Sequence, residues 1–405
     1  MPDPEPDKPA ADPYRATTRA ELEDAGAEPR AWTITTDQRP RLDVWLQNRI
    51  GGMSRAQVQK LIAMEGARVN GKPSKPSQRL REGDAVTVLV PPKPQVDLRP
   101  EPIPLDVLYE DPHLIAINKA AGIIVHPARK YLSGTMLNAL AHHFQAQRSG
   151  ELSGVGEADA RPGVVHRLDM NTTGVILFAK QDATHWLLAR QFEHRTNDKR
   201  YLAIVHGVPD PLSGALDFPL GKHPTIREAH AVRNDDHGRD SLTLYRVRRI
   251  YDGYSLVELE LKTGRTHQIR VHLSYVGHPI IGDVMYGGCA VGEAELADPP
   301  LAPGARPNLV YAATKSEGQA HEASVAERQA AGEPFVFGTP ALHAAYMQFT
   351  HPETDERMTI QAPPPPNFID LVRRLEAGGG RPGIDDGTKV GLDWIQAATA
   401  RRGDA

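Results

Sequence analysis

The stretch Arg161-Pro-Gly-Val-Val-His-Arg-Leu-Asp169-Met-Asn-Thr-Thr-Gly-Val-Ile-Leu-Phe-Ala-Lys180 constrains the fold of this chain more than any other. Two β-prone apolar runs, Val164-Val165 and Val175 to Ala179, flank a polar turn marked by Asn171, Thr172, Thr173 and Gly174. Such runs are too short for helices and predict strands of a sheet. His166, Arg167 and Asp169 fall where strand gives way to loop. A carboxylate there, two residues from a guanidinium, can stay ionised with little solvent and act as nucleophile or general base. Taken alone, a turn of this kind is more often a surface ion pair than a catalytic site.

A second motif, Thr263-Gly-Arg265-Thr-His-Gln-Ile-Arg270-Val-His-Leu-Ser-Tyr-Val-Gly277, predicts a helix capped by Thr266. Ile269, Leu273 and Val276 share its apolar face, and Gly277 suits the C′ position. Arg270 then lies near the helix N-terminus, where the dipole disfavours a cation. An anion beside it, Asp169 or a phosphate, would offset that. Between the motifs, Lys199-Arg-Tyr201 leads into the strand-like run Leu202 to Val205, and Asp182 is expected to cap a helix carrying Trp186, Leu187, Leu188 and Phe192. Leu105 to Tyr109 and Leu114 to Ile117 read as further strands, and Thr135 precedes a helical run.

Residues 39–100 are set apart by charge: twelve bases against five acids, whereas residues 1–30 carry eight acids and four bases. The formal net charge of −4 hides this asymmetry, and a local positive block is what phosphate binding requires. Leu42, Trp45, Leu46 and Ile50 recur at helical spacing, closed by Gly51-Gly52, and Ser54 is expected to cap a second helix with Val58, Leu61 and Ile62. Asn70-Gly71 signals a hairpin, and Val86, Val88 and Val90 alternate toward Pro91-Pro92 as an edge strand would. Arg41, Arg49, Arg55, Lys60 and Arg68 are interspersed with this apolar set.

A single cysteine, Cys289, excludes an internal disulfide and a cysteine zinc site, and fits a cytoplasmic protein. No apolar run approaches membrane-spanning length and no secretory signal is visible. Seventeen histidines raise a metal hydrolase as an alternative, but His-Glu-x-x-His is missing and His267 and His272 are five apart, off one helical face.

Arg161 to Asp169, followed by Thr-Thr-Gly and an apolar strand, resembles the active-site segment of the large-ribosomal-subunit-type (RluA-like) RNA pseudouridine synthases. Gly264 to Leu273, followed by Gly277-His-Pro-Ile-Ile-Gly-Asp283 and Tyr286-Gly, resembles a further motif of that family. Arg41-Leu-Asp, Ser54-Arg, Gln59-Lys-Leu-Ile and Val69-Asn-Gly-Lys resemble an S4 RNA-binding domain. The resemblance implies an α+β fold: a small α/β S4-like domain, then a mixed, mostly antiparallel sheet with flanking helices. It implies an isomerase that converts uridine in RNA to pseudouridine without a cofactor or metal. As catalytic residues, Asp169 would be the nucleophile, Arg270 its partner, and Tyr201 the aromatic against the base, with assistance to proton removal from C5 as a further expected role. Arg167 would contact the RNA and help hold the nucleotide out of its stack, with His166 and Arg265 as further substrate-binding candidates. The S4-like arginines and Lys60 would bind phosphates. Met170-Asn171 replaces the family's frequent Lys-Asp.

The expected organisation is a disordered acidic tail (1–38), the S4-like domain (39–92), a linker (93–104), the catalytic domain (105–376) with an insertion at 289–338, and a flexible tail (377–405) in which Val390, Leu392, Trp394 and Ile395 are candidates for weak docking. The expected partner is ribosomal RNA or a ribosome-assembly intermediate, bound by a monomer with no membrane association. The alternative is a non-catalytic RNA-binding or ribosome-assembly protein that retains the synthase fold. Intact Asp169, Tyr201 and Arg270 argue against such decay.

Overall fold

The structure, a computed structural model, describes residues 18–24, 26–35, 39–50, 53, 55–90, 98–127, 133–156, 161–299 and 315–395. They form two units that divide between Asp97 and Leu98.

The first unit contains α1 (Arg19–Asp24), β1 (Glu28–Thr33), α2 (Leu42–Ile50), α3 (Arg55–Ala63), β2 (Ala67–Val69), β3 (Lys72–Pro73) and β4 (Ala85–Val90). The strands pair in the order β1-β4-β2-β3. Asn70 and Gly71 both take positive φ, 51° and 76°, which builds the tight hairpin between β2 and β3. Leu42, Leu46, Val58, Leu61, Ile62, Val86 and Val88 close the core. The helix-ending Gly51-Gly52 and the cap Ser54 lie outside the described residues.

Two expectations are corrected here. Residues 18–35 are not a structureless tail, because Leu22 and Ile34 enter the core and β1 pairs along the whole of β4. That makes β4 a central strand rather than an edge. The cause of the misreading is physical. Five of the six β1 side chains face solvent, so the strand carries no apolar alternation. Only Trp32 is half-buried, edge-on to Trp45 at 5.7 Å between centroids.

The second unit begins with β5 (Val107–Glu110), β6 (Leu114–Lys119), α4 (Met136–Gln147), β7 (Thr173–Ala179), α5 (Asp182–His194) and β8 (Asp198–His206). It continues through β9 (Ser213–Asp217), β10 (Leu220–Lys222), β11 (His230–Val232), β12 (Leu242–Ile250), β13 (Tyr254–Leu261) and α6 (Gln268–Tyr275). After α6 come β14 (Val291–Gly292), α7 (Glu293–Ala297), α8 (Lys315–Ala330), β15 (Val336–Phe337), β16 (Leu342–Thr350), β17 (Arg357–Gln361), α9 (Pro366–Ala377) and β18 (Arg381–Pro382). The main sheet runs β18-β12-β13-β8-β16-β7-β6-β5, with β9 on β12 and β17 on β16. Of its pairings, β16 with β7 is parallel and the others are antiparallel. The mixed, mostly antiparallel sheet with flanking helices is thus present.

β7 shows why the apolar run after the turn is uninterrupted: every one of its residues is buried. Ile176 and Phe178 join the cluster that holds Leu137, Leu140 and Phe144 of α4. Val175, Leu177 and Ala179 face the other way, toward Leu188 of α5 and Phe349 of β16. At the head of the strand Gly174 has φ +107°, and a Cβ there would overlap the Ala344 carbonyl oxygen of β16. Gly174→Ala is therefore expected to destabilise this unit by about 3 kcal/mol, read as a lower urea midpoint of its unfolding transition.

Several boundaries move. Residues 98–104 belong to this unit rather than to a linker, since Leu98 packs on its core and Asn138 Nδ2 donates to the Arg99 carbonyl at 2.9 Å. Thr135 does cap α4, in a reciprocal box with Asn138. Asp182 is the first residue of α5, after an N-cap at Gln181. The expected flexible tail is partly docked. β18 pairs with β12, Val390 and Ile395 are buried in the main core, and Arg248 bridges Glu258 and Asp385. Within 289–338 lie the helix α8 and the β14–β15 pair. Val164-Val165 forms no strand beyond a single bridge from Val164 to Phe178.

Candidate active site

Asp169 sits in a loop held from below. Gly163 accepts from the Ala179 amide, Thr172 N–H donates to the Asp169 carbonyl at 3.2 Å, and Gly122 N–H donates to the Met170 carbonyl at 3.1 Å. Lys119, at the end of β6 and 1% exposed, donates to the carbonyls of Ala120, Met170 and Thr172 at 2.8, 2.7 and 3.0 Å. Burial lowers the Lys119 ammonium to about 7 against the pull of Asp169. One side chain thus grips the loop on both sides of Asn171.

Arg270 reaches this loop from the first turn of α6. Gln268 fixes the start of that helix, accepting from Thr263 Oγ1 at 2.8 Å and Arg265 N–H at 3.0 Å while donating to the Leu242 carbonyl and Thr243 Oγ1 on β12. The N-cap is His267, in the left-handed region at φ 58°, not Thr266. Thr266 instead accepts from Arg167 Nη2 at 2.7 Å, which ties the first motif to the second.

The Arg270 guanidinium lies between two carboxylates. Nε and Nη2 donate to Asp283 at 2.7 and 2.8 Å, and Nη1 donates to Asp169 Oδ2 at 3.2 Å. The Tyr286 ring lies under it at 4.9 Å. The two acids differ in access: the Asp283 side chain is 1% exposed and that of Asp169 is 27% exposed. Asp283 is the anchor and Asp169 the open end. Burial works against both charges, yet Asp283 keeps Arg270 firmly protonated. For Asp169, burial would raise the carboxyl, but its interactions with His267, when that ring is protonated, and with the Arg270 guanidinium bring it below the usual carboxylate range. His267, whose Nε2 is 3.8 Å from Asp169 Oδ2, is itself lowered to about 4 by burial. At neutral pH the ionised state of Asp169 therefore rests on Arg270, with Arg167 assisting.

Tyr201 stands on β8, 7% exposed, close enough for the Asp169 charge to add to burial in raising its phenol above the ordinary range. Its phenol is neutral at neutral pH, and its ring offers an aromatic surface beside Asp169. His166 does not join the cluster as an open contact. Its Nε2 accepts from Leu177 N–H at 2.9 Å and its ring stacks on Phe192 at 4.5 Å, and burial lowers it to about 3. Arg265 donates to the Asp240 carbonyl at 3.3 Å. Sequence reading missed Asp283, His267, Tyr286 and Lys119 as members of the site; Gly282-Asp283 and Tyr286-Gly stood inside a recognised motif without a role. Among the described residues, no three His, Cys, Asp or Glu side chains converge as a metal site would need.

In the first unit, Arg41 and Arg55 converge on Asp43, donating at 3.0 Å each, and Gln59 donates to the same carboxylate at 2.7 Å. Asp43 is fully buried and held far below the usual range, first by Arg41. The two guanidiniums remain 37% and 49% exposed, so a buried carboxylate orients them while leaving them reachable. Arg49 lies over Trp45 at 5.1 Å, Arg68 pairs with Glu65 at 3.1 Å, and Lys60 is exposed on α3.

Residues 113–275 match the family described as RNA pseudouridylate synthase, and residues 40–86 match the S4 domain. A Bacillus subtilis RNA pseudouridine synthase of uncharacterised specificity is 33% identical over 84% of this chain and 95% of its own length. The ribosomal large subunit pseudouridine synthase D of Zymomonas mobilis is 35% identical over 83% of this chain and 93% of its own. An Aquifex aeolicus RNA pseudouridine synthase, also uncharacterised, is 41% identical over 61% of this chain and 77% of its own.

Proposed function

Because this chain belongs to the RNA pseudouridine synthase family, with an S4 domain ahead of a domain that isomerises uridine in RNA, we propose that its substrate is large-subunit ribosomal RNA and that Asp169 is the nucleophile. The reaction breaks the N1–C1′ bond, turns the uracil, joins C5 to C1′ and moves the C5 proton to solvent while N1 gains one. Nothing is oxidised and no group is imported. A carboxylate can attack either C6 of the base or C1′ of the ribose. The observation that carries the reading is the Asp169–Arg270 pair: an ionised acid, anchored at 3.2 Å from its cation and open to solvent on its other side.

Each role follows from chemistry. C6 and C1′ are inaccessible in a stack, so the nucleotide must be extruded. Arg167, exposed and braced on Thr266, is placed to engage the RNA backbone. Tyr201 offers the uracil a neutral face for stacking. The S4 unit would bind folded RNA by shape and phosphate, with salt-sensitive affinity. Ribosomal RNA is favoured because the Zymomonas mobilis relative bears a large-subunit name. We read the protein as a monomer acting in the cytoplasm, where such RNA is assembled; no helix among the described residues is long and apolar enough to cross a membrane.

Pseudouridine mapping of total RNA from a strain lacking this chain tests the target. One or a few large-subunit positions are expected to lose the modification and regain it on complementation. Intact ribosomal RNA with losses in transfer RNA would overturn the ribosomal assignment.

A further inference from the structure

The β10–β11 hairpin brings a second imidazole to the active-site cluster. His230 opens β11, and its ring lies edge-on to that of His267 with centroids 5.5 Å apart. His267 in turn is the neighbour of Asp169. The His230 amide donates to Tyr286 Oη at 3.0 Å, and the same hydroxyl meets His267 Nδ1 at 2.6 Å. The backbone of His230 is therefore tied into the network that supports Arg270. Its side chain is not. His230 Nδ1 is buried and has no hydrogen-bond partner among the described residues. Folded proteins rarely leave such an atom unmatched, and each instance calls for a reason, a catalytic role or a bound water or ion among them. The charges of Asp169, Lys222 and Arg167 all act on this ring.

Resting on the reading above, we propose that His230 is a substrate-contacting residue that hydrogen-bonds the polar edge of the extruded uracil and helps decide which base is accepted. The phosphate has better partners nearby: Arg167, and Lys222, which is exposed and lies opposite His230 in the hairpin register. The imidazole is buried enough to be lowered from its ordinary range, so it meets a ligand as a neutral ring. A neutral imidazole presents one N–H and one lone pair. The uracil edge alternates carbonyl, N3–H and carbonyl, so either tautomer finds a complement. A site that hydrogen-bonds a substrate group discriminates strongly against analogues lacking it.

The test uses the full chain as wild type, His230→Ala and His230→Gln. Pseudouridine formation is followed on RNA from the strain lacking the enzyme. His230→Ala should lose about tenfold to a hundredfold in kcat/KM, with RNA affinity and thermal midpoint unchanged. His230→Gln, which keeps a donor and an acceptor, should recover most of it. In parallel, the His230 ring resonances of 15N-histidine-labelled protein are followed while uridine 5′-monophosphate or ribose 5-phosphate is added. A shift with the nucleotide alone supports the contact. Wild-type kinetics in His230→Ala, or equal shifts with both ligands, overturn it. If the wild type modifies no RNA at all, the reading under Proposed function falls, and the resonance titration by itself decides for or against the His230 contact.

Discussion

Asp169→Asn is expected to lower pseudouridine formation by about four orders of magnitude or more, with RNA binding and thermal stability close to wild type. The amide keeps the shape of the side chain and can still accept from Arg270 Nη1. It lacks the charge and electron pair that attack on C6 or C1′ demands. The fold should tolerate the change because Arg270 keeps its two hydrogen bonds to Asp283 and is not left as an uncompensated buried cation. Single-turnover assay, a binding isotherm and a melting curve on the same preparation check all three statements. Turnover within tenfold of wild type would remove Asp169 from the chemistry.

Arg270→Gln should do two kinds of damage at once. It withdraws the cation that holds Asp169 ionised at neutral pH, so activity should collapse nearly as far as in Asp169→Asn. It also strands Asp283, 1% exposed and bonded to Arg270 through both oxygens. Removing one partner of a buried pair costs about 3–5 kcal/mol, so the urea midpoint of the second unit should fall sharply, which Asp169→Asn should not cause. Arg270→Lys separates the two effects. A lysine keeps the charge but cannot fork onto Asp283 while reaching Asp169, so much of the stability should return and little of the activity. Equal stability of Arg270→Gln and wild type by urea titration would refute the anchoring role given to Asp283.

The legibility of this protein in its sequence was uneven for identifiable reasons. β7 could be read because both its faces are buried, which leaves an unbroken apolar run between turn residues. β1 could not, because an edge strand with five exposed side chains looks like any polar segment until β4 is beside it. The strand at Arg381–Pro382 escaped similarly, because two residues carry no period, whereas the apolar side chains of Val390 and Ile395 marked the docked stretch beyond it. The starts of α5 and α6 were placed to within a residue, but their caps were misassigned. At α6 the Thr266 hydroxyl is taken by Arg167 from 99 residues away, and Gln268 does the fixing instead.

By itself the sequence determined the strands and helices that carry the chemistry, the small basic α/β unit ahead of them, and the expectation that an arginine at a helix N-terminus needs an anion. Those follow from local spacing and from the dipole of the helix. Only the tertiary structure decided that this arginine has two anions, one sealed and one open, that His166 is spent on Leu177 and Phe192, and that Arg41 and Arg55 share Asp43. Charges act over a few ångströms regardless of chain separation. Which acid meets which base is therefore set by how the sheet and its loops bring residues as distant as 169 and 270 together.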